Sequence, residues 1–231
     1  LGMNMASNIG HALSNSGSGF SDRRVVRYLA IFAGIALGYA LIRGSHWSSS
    51  IEFHTNMEIF SMMVAWTVGV LALVRYYASR STRFLFIGAG FLGTAFMDGY
   101  HGVVTSLNFI PYLPEDLPSM APWSWLASRI FLSVMILLSA TLTARRYAVG
   151  EKDQSYETAV YAGSFVLLTI TTLFFVFVPL PNVYDPTSFI HRPEELIPAV
   201  LFGISIVAYL KKDGWKKGHF EHWLIISLLM N

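Results

Sequence analysis

The chain has 231 residues, of which 54% are hydrophobic and only 13% charged, with a mean hydropathy of +0.50. A soluble domain carries about 25% charged residues, so this composition excludes an ordinary soluble protein and implies an all-α integral membrane protein. A net charge of +2 and a pI near 8.8 give no basic surface for nucleic acid, and the lack of cysteine excludes disulfides and thiolate metal sites.

Residues 1–24 are rich in Gly, Ser and Asn and lack the apolar core of a signal peptide. They read as a mobile cytoplasmic tail in which His11 is solvated. Apolar runs then predict membrane-spanning helices at 25–43, 51–76, 84–106, 123–144, 158–178 and 194–210. A seventh run opens near Glu221 and stops at Asn231, about half the length needed to cross. The expectation is a helical bundle of at least seven spans, the last one truncated, over residues 25–231. Gly34 and Gly38 give the first span a small-residue stripe suited to close helix contact. Gly88, Gly90, Gly93, Gly99 and Gly102 thin the third, for tight packing or, less commonly, for a cofactor lying against the helix. Trp47, Trp123, Trp125 and Trp215 read as interfacial anchors.

The loops alternate in charge. Arg23, Arg24 and Arg27 precede the first span, Arg75, Arg80 and Arg83 separate the second and third, Arg145, Arg146 and Lys152 the fourth and fifth, and Lys211, Lys212, Lys216 and Lys217 the sixth and seventh. The other loops hold only Arg43 and Arg192 beside Glu52, Glu115, Asp116, Asp185, Glu194 and Glu195. The positive-inside rule predicts a cytoplasmic N-terminus.

This topology brings four ionisable residues to one level. His54 and Glu58 are four apart at the outer start of span two, and Asp98 and His101 three apart at the outer end of span three. Either interval places both side chains on one helix face. At about 1.5 Å per residue, the histidines lie roughly 5–7 Å, and the carboxylates roughly 10–12 Å, below the outer ends. Arg129, early in span four, reaches a similar depth and balances the carboxylate charge. Ionisable residues inside a span are expensive and point to function.

Three chemistries fit this set. His54, Glu58, Asp98 and His101 could ligate zinc, iron, copper or manganese. They could form an unliganded or proton-sensing polar network in which Asp98 pairs with Arg129. His54 and His101 could instead be axial ligands of a haem, with span-three glycines clearing room for the ring. His191, Glu194 and Glu195 lie in the segment FIHRPEELIP, either as a lid on the outer site or as the solvated first turn of span six. His219 and His222 fall at the cytoplasmic start of span seven, where interfacial polar contacts are expected. No nucleophile elbow, phosphate loop or dinucleotide fingerprint is present.

The order Phe53-His54 with Glu58, then Asp98-Gly-Tyr-His101, then Arg129 resembles the pattern of a bacterial family, the membrane-associated sensor domains of the third kind (the MASE group). The resemblance runs from about residue 25 to the end. It implies an eight-span domain, here without its last span, that regulates a diguanylate cyclase or histidine-kinase module and dimerises through that module. The expected protein is therefore a multi-pass sensor of the bacterial inner membrane, in contact with the lipid bilayer and not itself an enzyme. It would bind a metal ion or small ligand beneath the extracytoplasmic face. The alternatives are a haem- or quinone-linked redox sensor and a membrane metal-dependent hydrolase.

Overall fold

The structure is a computed structural model that describes residues 3–42, 50–112, 117–142, 151–178, 192–212 and 219–229. Among these are seven α-helices and no strand: α1 Met3–Ile42, α2 Ile51–Ser79, α3 Thr82–Val104, α4 Leu117–Thr141, α5 Glu151–Phe177, α6 Leu196–Leu210 and α7 His219–Leu229. Short 3-10 turns lie at Ile110–Tyr112 and Pro193–Glu195. Five segments are long and apolar enough to cross a bilayer: Arg23–Ile42, Ile51–Ser79, Pro122–Thr141, Gln154–Phe174 and Pro193–Lys211. Arg43, Trp47, Glu115, Asp116, Arg145, Arg146, Asp185, His191, Trp215, Lys216 and Lys217 lie outside the described residues, as do the side chains of His11, Lys152 and His219.

The chain divides into two compact units, residues 1–47 with 206–231, and residues 48–205. In the first, α1 is helical from Met3, within the stretch that composition assigns to a tail. Its 40 residues would extend about 60 Å, twice a hydrocarbon core of about 30 Å. Only Arg23–Ile42 is apolar enough to span. A Cβ at Gly34 or Gly38 would meet nothing within 4 Å among the described residues, and α1 leaves Leu29, Phe32, Leu37 and Leu41 exposed. Its described partner within the unit is α7, and there Tyr28 Oη lies 2.7 Å from His222 Nδ1 and Arg27 Nη1 lies 3.1 Å from His222 Nε2. His222 is buried, and its polar contacts are with α1.

The second unit is built around α3. Ser50 caps α2, its Oγ accepting from Phe53 N–H at 3.2 Å. At the other end Arg80 adopts the left-handed conformation (φ 50°), which costs an L-residue about 1–2 kcal/mol. Arg80 N–H donates back to the Tyr76 carbonyl, so the helix closes and α3 begins two residues later. The guanidinium of Arg80 lies over the rings of Tyr76 and Tyr77 and 3.8 Å from Glu157 Oε2 on α5. Tyr77 donates to Glu157 Oε1 at 2.5 Å and Tyr76 to Oε2 at 3.3 Å, fastening the α2 end to α5.

α3 packs against α2, α4 and α5 and most of its residues are buried. The 23-residue α3, expected as a span over 84–106, is not among the five segments long and apolar enough to cross, and a helix enclosed by protein need not be as apolar as one that faces lipid. Its glycines are filled by side chains. A Cβ at Gly93 would stand 2.3 Å from Phe131 Cε1, and one at Gly88 would stand 2.5 Å from Leu73 Cδ2 and 3.1 Å from the Gly69 carbonyl oxygen. Backbones therefore approach closely at the α2–α3 and α3–α4 crossings. The core beside them joins Tyr76, Phe84, Leu85, Phe86, Met97, Phe131, Met135 and Val160.

Candidate functional site

Because α2 and α3 form an antiparallel hairpin, the first turns of α2 meet the last turns of α3. The rings of His54 and His101 lie edge to face with centroids 5.8 Å apart. One ligand atom from each of His54, Glu58 and His101 can be chosen so that all three lie within 4.8 Å of one another. Burial rises in steps: His54 is exposed, Glu58 half-buried and His101 buried, 3% exposed. Glu58 Oε2 is buried without a hydrogen-bond partner. Bonds of about 2.0–2.2 Å to a zinc-like ion let two ligands stand at most about 4.4 Å apart, so the three donors are slightly open around an ion-sized space.

The neighbouring helix α4 completes the site with residues that spacing alone did not single out. Ser124 Oγ lies 2.7 Å from His101 Nδ1, and Ser128 donates to Asp98 Oδ1. Ser124 and Ser128 are four apart on α4, opposite Asp98 and His101 three apart on α3. Each member of the buried α3 pair is therefore held by a hydroxyl. Anchoring one ring nitrogen on an oxygen is how metal-binding imidazoles are commonly oriented.

Asp98 stands apart from the three-donor group. It is 1% exposed, its Oδ2 has no hydrogen-bond partner, and it lines a different cavity from His54, Glu58 and His101. The Asp98–Arg129 ion pair of the polar-network alternative is not formed among the described residues. Ser128 takes the place of the arginine, whose guanidinium carbon lies 5.3 Å from the Trp125 ring centre and whose Nε is buried without a partner.

A cavity of about 270 Å³ opens over the donors, lined by His54, Glu58, His101, Pro122, Trp125 and Arg192. Trp125, expected as an interfacial anchor, thus forms a wall of the site. In the described part of the segment expected to act as a lid, it is Arg192 that reaches the cavity; it pairs with Glu195 at 3.0 Å. Glu194 keeps one buried oxygen without a partner, and His191 lies outside the described residues.

Fold and site together define a helical, multi-span membrane protein with a polar pocket set between helix ends. Residues 45–231 match the model of the membrane-associated sensor domain family MASE3, and the chain belongs to that family. Comparison with curated proteins and with solved structures gives no match. The family description gives this region a sensory role.

Proposed function

We propose that the chain is the transmembrane sensory part of a bacterial inner-membrane signalling protein that binds a divalent metal ion beneath the extracytoplasmic face. One observation carries this reading: His54, Glu58 and His101 converge while Glu58 Oε2 lacks a partner among the described residues. Two imidazoles and one carboxylate suit zinc or ferrous iron, with manganese and copper as further candidates, and three protein ligands leave a position for an exchangeable group. When bound, the ion would supply a direct partner for Glu58 Oε2. Arg192 at the cavity wall favours an anion in the remaining position.

The loop charges support a cytoplasmic N-terminus. Binding would favour one of two helix arrangements and so bias a cytoplasmic diguanylate cyclase or histidine kinase, itself the dimerisation element. The ion can act only through its differential affinity for the two states, and coupling of this kind typically amounts to about 1–3 kcal/mol. The haem alternative finds no ring-sized gap at Gly88, Gly90 and Gly93, which face Leu73, Met135 and Phe131. Gly99 and Gly102, the glycines nearest His101, line a cavity of about 450 Å³ that does not include either histidine.

The test is metal analysis of the full-length protein together with output activity, with and without chelator, in wild type and His101→Ala. We expect bound metal and a metal-dependent output in wild type, and neither in the variant, with basal turnover retained. A metal-free wild-type protein whose output ignores added zinc, iron, manganese and copper would overturn the proposal.

A further inference from the structure

A second cavity, of about 450 Å³, lies on the other side of the α2–α3 hairpin end, and Thr55, Met62, Asp98, Val103 and Phe109 are among the residues that line it. Its volume is in the range of small-molecule sites, about 300–1,000 Å³. The walls are mainly apolar, and Ile59, Val103 and Phe109 are 45%, 45% and 49% exposed, so the space opens to the outside of the hairpin. In a span, that outside is lipid. Two polar atoms in this apolar setting have no partner: Asp98 Oδ2 and Thr55 Oγ1, both buried. Ser128 occupies the other carboxylate oxygen of Asp98.

Leaving two such groups unmatched is costly, and a lone buried carboxylate charge more so. The complementary ligand is neutral, enters from the bilayer, and carries a head that can both accept and donate. A ring carbonyl accepts from the Thr55 hydroxyl, whereas a ring hydroxyl donates to Asp98 Oδ2. Phe109 offers a face for a flat ring, and the Met62 thioether is a favourable neighbour for an aromatic edge.

We infer that this cavity is a binding site for a membrane-soluble quinone or quinol, held at its head by Asp98 and Thr55. The site is separate from the His54–Glu58–His101 group and does not depend on that group holding a metal. Both redox forms find partners here, and the number of donated hydrogen bonds changes between them. Occupancy could therefore report the redox state of the lipid pool alongside whatever the outer pocket binds.

The experiment measures binding of decylubiquinone, decylubiquinol and n-decanol to the full chain in lipid nanodiscs by equilibrium partitioning. Metal content is measured on the same samples. We expect saturable binding of both ring compounds and none of decanol. Asp98→Asn, which keeps an acceptor for Ser128, should weaken quinol binding at least about tenfold, the scale of one buried hydrogen bond to a carboxylate. Thr55→Val should weaken quinone binding more than quinol binding. Val103→Trp places bulk at a half-exposed wall position and should abolish binding of both with metal content unchanged. Wild-type binding in Val103→Trp, or saturation by decanol as tight as by the quinone, would overturn the assignment.

Discussion

Two buried histidine clusters in this protein solve opposite problems. His222, between α1 and α7, has both ring nitrogens engaged, Nδ1 with the Tyr28 hydroxyl and Nε2 with Arg27. An arginine can only donate, so Nε2 accepts and the ring is a neutral fixture between two helices. Where the first turns of α2 meet the last turns of α3, His101 is equally buried, yet Glu58 Oε2 and Asp98 Oδ2 beside it have no hydrogen-bond partner among the described residues. A histidine among matched groups is scaffold. One beside orphaned acceptors and an open cavity marks the candidate site.

That contrast can be broken by separating stability from binding. The largest loss of stability should come from His222→Ala, which removes the acceptor of Arg27 and a partner of Tyr28 and leaves a cavity. We expect a cost of about 2–3 kcal/mol in unfolding in detergent with metal content unchanged. Loss of metal in that variant would show that the two clusters are not independent. Ser128→Ala strips Asp98 of its hydroxyl and should cost about 1–2 kcal/mol by the same assay; an unchanged unfolding midpoint would deny that bond any weight.

Ser124→Ala should divide its effect. Freed of its anchor, His101 should bind metal about 10–100-fold more weakly, while stability falls by about 0.5–1.5 kcal/mol. Equal metal affinity in titrations of wild type and variant would argue that Ser124 does not orient a ligand. The smallest stability change belongs to His54→Ala, whose exposed side chain predicts a shift within about ±0.5 kcal/mol although metal retention is lost. If His54→Ala unfolded as readily as His222→Ala, the difference between scaffold and site would collapse.

The parts of the fold legible in the sequence are those written in runs of apolar residues. α2, α4, α5 and α6 fall where hydrophobicity places them, and the opposed motifs at 54–58 and 98–101 predict that α2 and α3 pack with those ends together. Less visible was the division of labour inside the motif. Asp98 and Glu58 have the same chemistry and similar depth, but only contacts from α4 decide that one is tied to Ser128 and the other left open. Serines in an apolar span carry little signal of their own, so Ser124 and Ser128 do not stand out, and Trp125 reads as an interfacial anchor. The available hint was the pair of serines one turn apart, opposite a D-x-x-H segment that runs the other way. The partners of His222 were hidden for a similar reason: nothing local announces that Tyr28, nearly two hundred residues earlier, will cover it.

The serine pair also governs how α3 can move along α4. In the structure Asp98 faces Ser128 and His101 faces Ser124. A slide of one turn, about 5.4 Å, towards the other end of α4 would set His101 against Ser128 and Asp98 against the buried Leu132. The imidazole finds a hydroxyl in both registers; the carboxylate finds one in only the first. The Ser128–Asp98 hydrogen bond thus favours the observed register over one a turn away, where a buried carboxylate would lose its hydroxyl.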